Sequence, residues 1–144
     1  MATETTGGSR SDDVILLAGR LALGAIFVES GILKLLNLAT FASQLANRGV
    51  PQSSVWAVIG ATVEFIGGML IITGFRTRYA SLLLILFVIV ATGISHRYWE
   101  FTGPAYRTQQ IQFFKNLSII GGFLLLYVTG GGRFSLDRWL GHKR

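Results

Sequence analysis

The chain has 144 residues, of which 51% are hydrophobic and 14% are charged, and its formal net charge is +6. Soluble domains carry charged side chains at about a quarter of their positions, so this composition excludes an ordinary soluble domain and indicates a small multi-span membrane protein. Cysteine is absent, which excludes disulfides, thiol exchange and cysteine-ligated iron–sulfur or zinc sites.

Cofactor and nucleic-acid sites are not expected in this chain. Its basic residues lie mostly in short loops and in the C-terminal tail, without a basic patch interleaved with aromatic side chains, so no nucleic-acid partner is predicted. The two imidazoles, His96 and His142, lie too far apart to ligate one haem. Glu29, Glu64 and His96 have no recognisable metal-ligand spacing, so neither a metal site nor an intrinsic cofactor is predicted.

The first predicted span covers about residues 14–38 and follows a polar segment, residues 1–13, that we expect to be disordered and not to be a cleaved signal peptide. Glu29 lies on a flank of this helix. Another face should point into a helix bundle, because cations avoid lipid and glycines permit close helix approach. That face carries Arg20, Gly24, Phe27, Gly31 and Lys34.

The second predicted span, about residues 54–74, follows a polar loop at 39–53 and contains Glu64, the one ionisable side chain between residues 51 and 75. An ionised carboxylate near the bilayer midplane is unfavourable by at least about 2 kcal/mol unless it is paired or protonated. Two hypotheses follow. Glu64 forms a structural ion pair with Lys34, Lys115 or Arg20, or it is a protonatable acid that faces a ligand.

The third and fourth spans are predicted at about residues 79–96 and 111–129, separated by a polar loop at 100–110. The short turn at 75–78 makes the second and third spans antiparallel. His96 suits either an interfacial aromatic belt or a ligand site, and Lys115 and Asn116 lie inside the fourth span. The basic tail, residues 130–144, is expected to lie along the membrane surface.

These elements predict an all-α fold, a four-transmembrane-helix antiparallel bundle. Apart from the intramembrane cations, three basic residues lie on one side, at Arg48, Arg97 and Arg107. The other side carries seven, and this excess places both termini in the cytoplasm. Those seven are Arg10, Arg76, Arg78, Arg133, Arg138, Lys143 and Arg144.

In this topology most of the intramembrane polar groups converge in the outer half of the bundle. We expect a polar pocket there, with Arg20 alone nearer the cytoplasmic end as a structural buried charge. The candidate ligand-binding residues are Glu29, Lys34, Glu64, His96, Lys115 and Asn116. No catalytic residue is assigned.

Several short motifs, in order and spacing, resemble one family over nearly the whole chain after residue 13. They are Ser30-Gly31 with Lys34, Gly49-Val50-Pro51, Glu64 with Gly67-Gly68, Gly74 with Arg76 and Arg78, His96 with Trp99, Phe114 to Leu117, and Gly130 to Asp137. The chain resembles the DoxX family of small four-helix bacterial membrane proteins. Gly131 departs from the family's turn, which has proline at this position.

The resemblance implies a place in the bacterial cytoplasmic membrane and association with redox systems, including a quinone-linked thiosulfate oxidoreductase. Our leading hypothesis is an integral membrane subunit whose pocket holds a quinone headgroup, with electrons supplied by a partner redox enzyme. A noncatalytic scaffold that anchors soluble redox enzymes and a small-solute transporter are the alternatives. A stand-alone enzyme is not expected, and the sequence leaves homo-oligomerisation open.

Overall fold

The computed structural model describes residues 9–141 and contains helices but no strand within that range. Four of the helices are long and apolar enough to cross a membrane, which confirms the predicted all-α fold with four spanning helices. The α-helices are α1 (Arg10–Leu36), α2 (Leu38–Ala46), α3 (Ser53–Thr73), α4 (Thr77–Ser95), α5 (Gly103–Thr129) and α6 (Leu136–Trp139), with a 3₁₀ turn at Tyr98–Glu100.

The structure differs from the predicted boundaries at the first helix. α1 begins at Arg10, inside the segment expected to be disordered, because Ser9 and Asp12 form a reciprocal capping box. The backbone N–H of Ser9 donates to the carboxylate of Asp12 at 2.8 Å. The rest of the predicted disordered segment, residues 1–8, and residues 142–144 of the predicted tail lie outside the described residues.

Two predicted polar loops are largely helical. The loop at 39–53 contains α2, which follows α1 after the single residue Asn37 and packs on α3. The loop at 100–110 contains the first two turns of α5, where Pro104 occupies an early helical position that does not require its missing N–H. α5 is therefore eight residues longer at its start than predicted.

The helices do not pack evenly around the bundle. α1 lies along α3, α3 contacts α4, and α4 contacts α5, whereas α5 has little contact with α1. α1 and α5 meet through the rings of Phe27 and Phe123, whose centroids are 5.4 Å apart. Between this contact and the end of the bundle where α5 begins, residues of α1 and α5 line a shared cleft.

The opposite end of the bundle is closed by the C-terminal segment. The carboxylate of Asp137 accepts hydrogen bonds from the backbone N–H groups of Arg76 and Thr77, and so caps α4 from sixty residues away. Asp13 at the start of α1 pairs with Arg133 at 3.9 Å. The start of α1 and the α6 segment therefore lie at the same end of the molecule.

Candidate functional site

A cavity of about 260 Å³ lies between the four spanning helices, in the half of the bundle where α1 and α5 are separated. Its wall combines charged, amide, imidazole and aromatic side chains. The lining residues are Ile26, Phe27, Ser30 and Lys34 from α1, Glu64 from α3, Phe87, Val88 and Ala91 from α4 with His96 just after it, and Gln112, Lys115, Asn116 and Ile119 from α5.

Lys34 and Glu64 form an ion pair inside this cavity. The ammonium nitrogen lies 2.5 Å from Glu64 Oε2, and the glutamate side chain is only 7% exposed. The same ammonium lies 5.1 Å from the ring centroid of Phe41 on α2. Lys34 therefore links α1 to both α2 and α3, and of the three cations expected to pair with Glu64 it is the one that contacts it.

His96 and Asn116 are each held by a hydrogen bond between α4 and α5. His96 Nδ1 lies 2.7 Å from Gln109 Oε1, and Asn116 Nδ2 donates to Thr92 Oγ1 at 2.8 Å. With the amide oxygen as acceptor, Nδ1 of His96 carries the proton and Nε2 remains an acceptor. Asn116 keeps a second N–H and its amide oxygen, so the two side chains together offer one donor and two acceptors.

Lys115 and Glu29 have no carboxylate or cation partner among residues 9–141. Lys115 is exposed, lines the cavity, and also lines a second, shallow groove along α5. Glu29 is exposed on the face of α1 opposite Arg20 and does not line the cavity. The structure thus brings together five of the six candidate residues and leaves Glu29 apart.

Arg20 lies at the other end of the bundle and does not contribute to the cavity. It is 1% exposed. Its guanidinium donates to the carbonyl oxygens of Ile71 and Ile72 at 3.1 and 2.8 Å, and to those of Gly131 and Phe134 in the C-terminal segment. A cation in this position suits the carbonyl-rich C-terminal end of α3, where the Ile71 oxygen also accepts the backbone N–H of Gly74.

Sequence reasoning missed three polar residues at the site: Ser30, Gln109 and Gln112. The two glutamines and Asn116 follow a spacing of three and four residues, which places them on one face of α5. This pattern is visible in the sequence only when the helix is extended back through residues 103–110, which belong to a predicted polar loop. In the described part of the chain, no group of three His, Cys, Asp or Glu side chains is placed to hold a metal ion.

Comparisons with known proteins give a consistent result. The family model described as DoxX matches residues 15–97. The chain is 38% identical to the inner membrane protein YphA of Escherichia coli K12 over 87% of this chain and 89% of that protein. Identity to the inner membrane protein YqjF of the same organism is 34%, over 92% of this chain and 96% of that protein.

A more distant similarity extends to eukaryotes. A Surfeit locus protein 4 homolog of Drosophila melanogaster is 27% identical over 96% of this chain, but the match covers only 44% of that longer protein. No solved structure matches the chain significantly.

Proposed function

The chain belongs to the DoxX family, and on that premise we propose that it is the membrane subunit of a quinone-linked oxidoreductase whose intramembrane pocket binds the quinone headgroup. It is a multi-pass inner membrane protein with four spanning helices. The observation that carries the proposal is the cavity itself, in which Lys115, Asn116 and His96 meet beside the aromatic rings of Phe27 and Phe87.

The size and the opening of the cavity favour the headgroup of a lipid-soluble molecule. Pockets that enclose a whole drug-sized ligand have volumes of about 300–1,000 Å³, so a cavity of about 260 Å³ suits a single substituted ring. The cleft between α1 and α5 would leave an apolar tail in the lipid. Ile26 and Ile119 lie on the two sides of this cleft.

The polar groups match both redox forms of such a ring. Quinone carbonyl oxygens accept hydrogen bonds, which Lys115 and the second amide N–H of Asn116 can donate. A quinol hydroxyl donates a hydrogen bond, which Nε2 of His96 accepts in the tautomer whose Nδ1 donates to Gln109. When bound, a quinone supplies two-electron redox chemistry, for which a partner enzyme must supply or remove the electrons.

The proposal is tested by quinone retention in purified protein. Wild type and variants are reconstituted in lipid nanodiscs with menaquinone or ubiquinone, and the bound quinone is quantified by extraction and chromatography. We expect Asn116→Leu and His96→Phe each to weaken binding about tenfold, because each removes one hydrogen bond to the headgroup. The control is Glu29→Gln, which changes an intramembrane residue outside the cavity.

Retention should be unchanged in Glu29→Gln. Wild-type protein that holds no more quinone than empty nanodiscs, or equal retention in both pocket variants, would refute quinone binding.

The surface at the end of the bundle where α1 starts favours a second candidate function. There the short α6 is fixed against the turn between α3 and α4 by Asp137, while Trp139 is 81% exposed beside Arg138. A noncatalytic scaffold could present this surface to a soluble redox enzyme. Loss of a specific co-purifying oxidoreductase from the Trp139→Ala variant, with unchanged quinone retention, would favour the scaffold over the quinone site.

We also propose that both termini face the cytoplasm, because the basic residues concentrate at the end of the bundle that carries them. The chain has no cysteine, so single cysteines can be introduced without a background signal. In intact cells, a membrane-impermeant maleimide should label Arg48→Cys and should leave Arg138→Cys unlabelled until the membrane is opened. The reverse pattern would invert the orientation.

A further inference from the structure

A second concave surface lies outside the cavity, on the exposed side of α5. It is a groove of about 470 Å³ whose described lining comes from this single helix. Two rows of side chains form it along the helix axis, each row repeating every four residues. The first row is Arg107, Ile111 and Lys115, and the second is Gln110, Phe114 and Ser118.

Within the part of the chain that the structure describes, the two cations of this groove have no negative partner. Among the acids at this end of the bundle, Glu64 pairs with Lys34 and Glu100 pairs with Arg97 at 3.2 Å, while Glu29 lies on the exposed face of α1 and outside the groove. Neither Arg107 nor Lys115 pairs with any carboxylate among residues 9–141. The groove is therefore a positively charged strip on the exposed face of a helix that is long and apolar enough to cross a membrane.

The two cations lie about two helical turns apart on α5, and their side chains lean toward each other. Arg107 Nη1 donates to Gln110 Oε1 at 2.7 Å, which directs the guanidinium one turn deeper along α5. Helix side chains lean toward the N-terminal end of their helix, so the stem of Lys115 leans back toward Ile111. The charges thus approach each other across about two helical turns.

The depth of the two cations along α5 fits the boundary between the lipid headgroups and the hydrocarbon core. Gln109 contacts His96 just beyond the end of α4, so this level marks the end of a spanning helix. Lys115 lies six residues, or about 9 Å, deeper along α5 than Gln109. Its flexible stem lets the ammonium group reach back toward the level of Gln109. Between the two cations along α5, Ile111 and Phe114 are about half exposed and provide an apolar wall.

We propose that this groove binds an anionic phospholipid of the adjacent leaflet. Arg107 and Lys115 hold the phosphate and the net negative headgroup, and Ile111 and Phe114 pack against an acyl chain. Charge complementarity selects this occupant, because two unpaired cations favour a net anionic lipid over a zwitterionic one. Lys115 lies on the ridge between the groove and the cavity, so the lipid would border the cavity without entering it.

The protein is placed in vesicles made of four fifths phosphatidylethanolamine and one fifth phosphatidylglycerol. It is then released into the mass spectrometer, and native mass spectrometry measures which of the two lipids stays bound. Wild type should retain phosphatidylglycerol preferentially. Each cation near a membrane surface contributes about a factor of five in affinity, so Arg107→Gln should lose about fivefold and the double variant Arg107→Gln/Lys115→Gln roughly 25-fold. Arg107→Lys/Lys115→Arg, which keeps both charges, should retain the lipid.

Arg48→Gln is the matched control, because Arg48 is an exposed cation at the same end of the bundle but outside the groove. It should bind phosphatidylglycerol as wild type does. Equal retention of the two lipids by wild type, or undiminished retention by the double variant, would overturn the proposal, as would displacement of the lipid by inorganic phosphate alone.

The outcome for Arg107→Gln is independent of quinone binding, because Arg107, unlike Lys115, does not line the cavity. Arg107→Gln should therefore lose phosphatidylglycerol and keep its quinone. A protein that binds no quinone but shows this lipid preference would refute the proposed function and support the lipid site.

Discussion

Arg20 shows how a single cation can be retained inside a membrane bundle without a carboxylate in hydrogen-bond contact. Its guanidinium binds four backbone carbonyls from two segments that are distant in sequence, the end of α3 and the turn before α6. A planar group with five donors suits this task, whereas a lysine ammonium has three donors at one point. Arg20 thus joins α1, α3 and the C-terminal segment.

We predict that Arg20→Met lowers the free energy of unfolding by about 3–5 kcal/mol, because several buried carbonyls lose their donor together. Reversible unfolding of the purified protein in mixed detergent micelles measures this quantity. Arg138→Met is the control, since Arg138 is an exposed cation at the same end. Equal effects in the two variants would show that charge at this end matters and that the carbonyl contacts do not.

A second prediction concerns the ion pair between Lys34 and Glu64. Lys34→Gln and Glu64→Gln should each destabilise the protein, because each leaves one charge without its partner in a poorly solvated position. The double variant should be more stable than the sum of the two losses, with a coupling energy of roughly 0.5–3 kcal/mol. Additive losses in a double-mutant unfolding cycle would contradict a direct interaction.

Much of the site was predictable because a charged side chain within an apolar run must face the bundle interior or a polar cavity. Helical periodicity placed Arg20 and Lys34 on the inner face of α1, and the position of Glu64 in its span placed it within reach of Lys34. Periodicity also separates Glu29 from that face, yet depth alone had suggested that it joined the pocket. The choice of Lys34 as partner of Glu64 could not be predicted, since it depends on the packing of α1 against α3.

At the level of helices, the contact between α1 and α3 depends on two glycines that let the backbones approach closely. A methyl group at Gly31 would lie 2.7 Å from the backbone nitrogen of Phe65, and one at Gly68 would lie 2.9 Å from that of Val28. Neither neighbour can move away as a flexible side chain can. These glycines are therefore required by packing, as small residues are in many membrane helix pairs.

We predict that Gly31→Ala destabilises the protein by roughly 1–3 kcal/mol, because the helices must separate or shift. Gly19→Ala lies on the same helix, where an added methyl group meets nothing within 4 Å. That control should be neutral or stabilising, since alanine favours helix over glycine by up to about 1 kcal/mol. Thermal unfolding of the two variants in detergent checks the difference. A melting temperature of Gly31→Ala equal to that of Gly19→Ala would contradict the close contact of α1 and α3 at Gly31.

The start of α5 and the presence of α2 were the elements that sequence reasoning placed least well. Gly103-Pro104 is typical of a turn, but proline at the first positions of a helix is equally a start signal. The polar residues that follow looked like a loop because they are hydrophilic, although they extend a helix beyond the apolar core. The tertiary contact from His96 to Gln109 belongs to this extension, and local sequence does not report such contacts.

For the whole molecule, the decisive feature is that α1 lies along α3, α3 contacts α4 and α4 contacts α5, whereas α5 has little contact with α1. The C-terminal segment and Arg20 fix the end that carries the start of α1. At the other end, polar side chains from four helices border a cavity that the bundle does not fill. A bundle selected only for stability would be expected to fill that space, because cavities in packed interiors are destabilising.

One substitution on the cavity wall should have opposite effects on stability and on quinone binding. Ala91→Leu places a larger apolar side chain on the cavity wall, so it should raise the free energy of unfolding by about 0.5–2 kcal/mol while it removes the bound quinone. Ala25→Leu, on the exposed face of α1, should change neither quantity appreciably. Unfolding and quinone extraction on the same preparations test both signs together. If Ala91→Leu gains stability and keeps its quinone, the ligand lies elsewhere; if it gains nothing and keeps its quinone, the cavity is neither a packing defect nor a binding site.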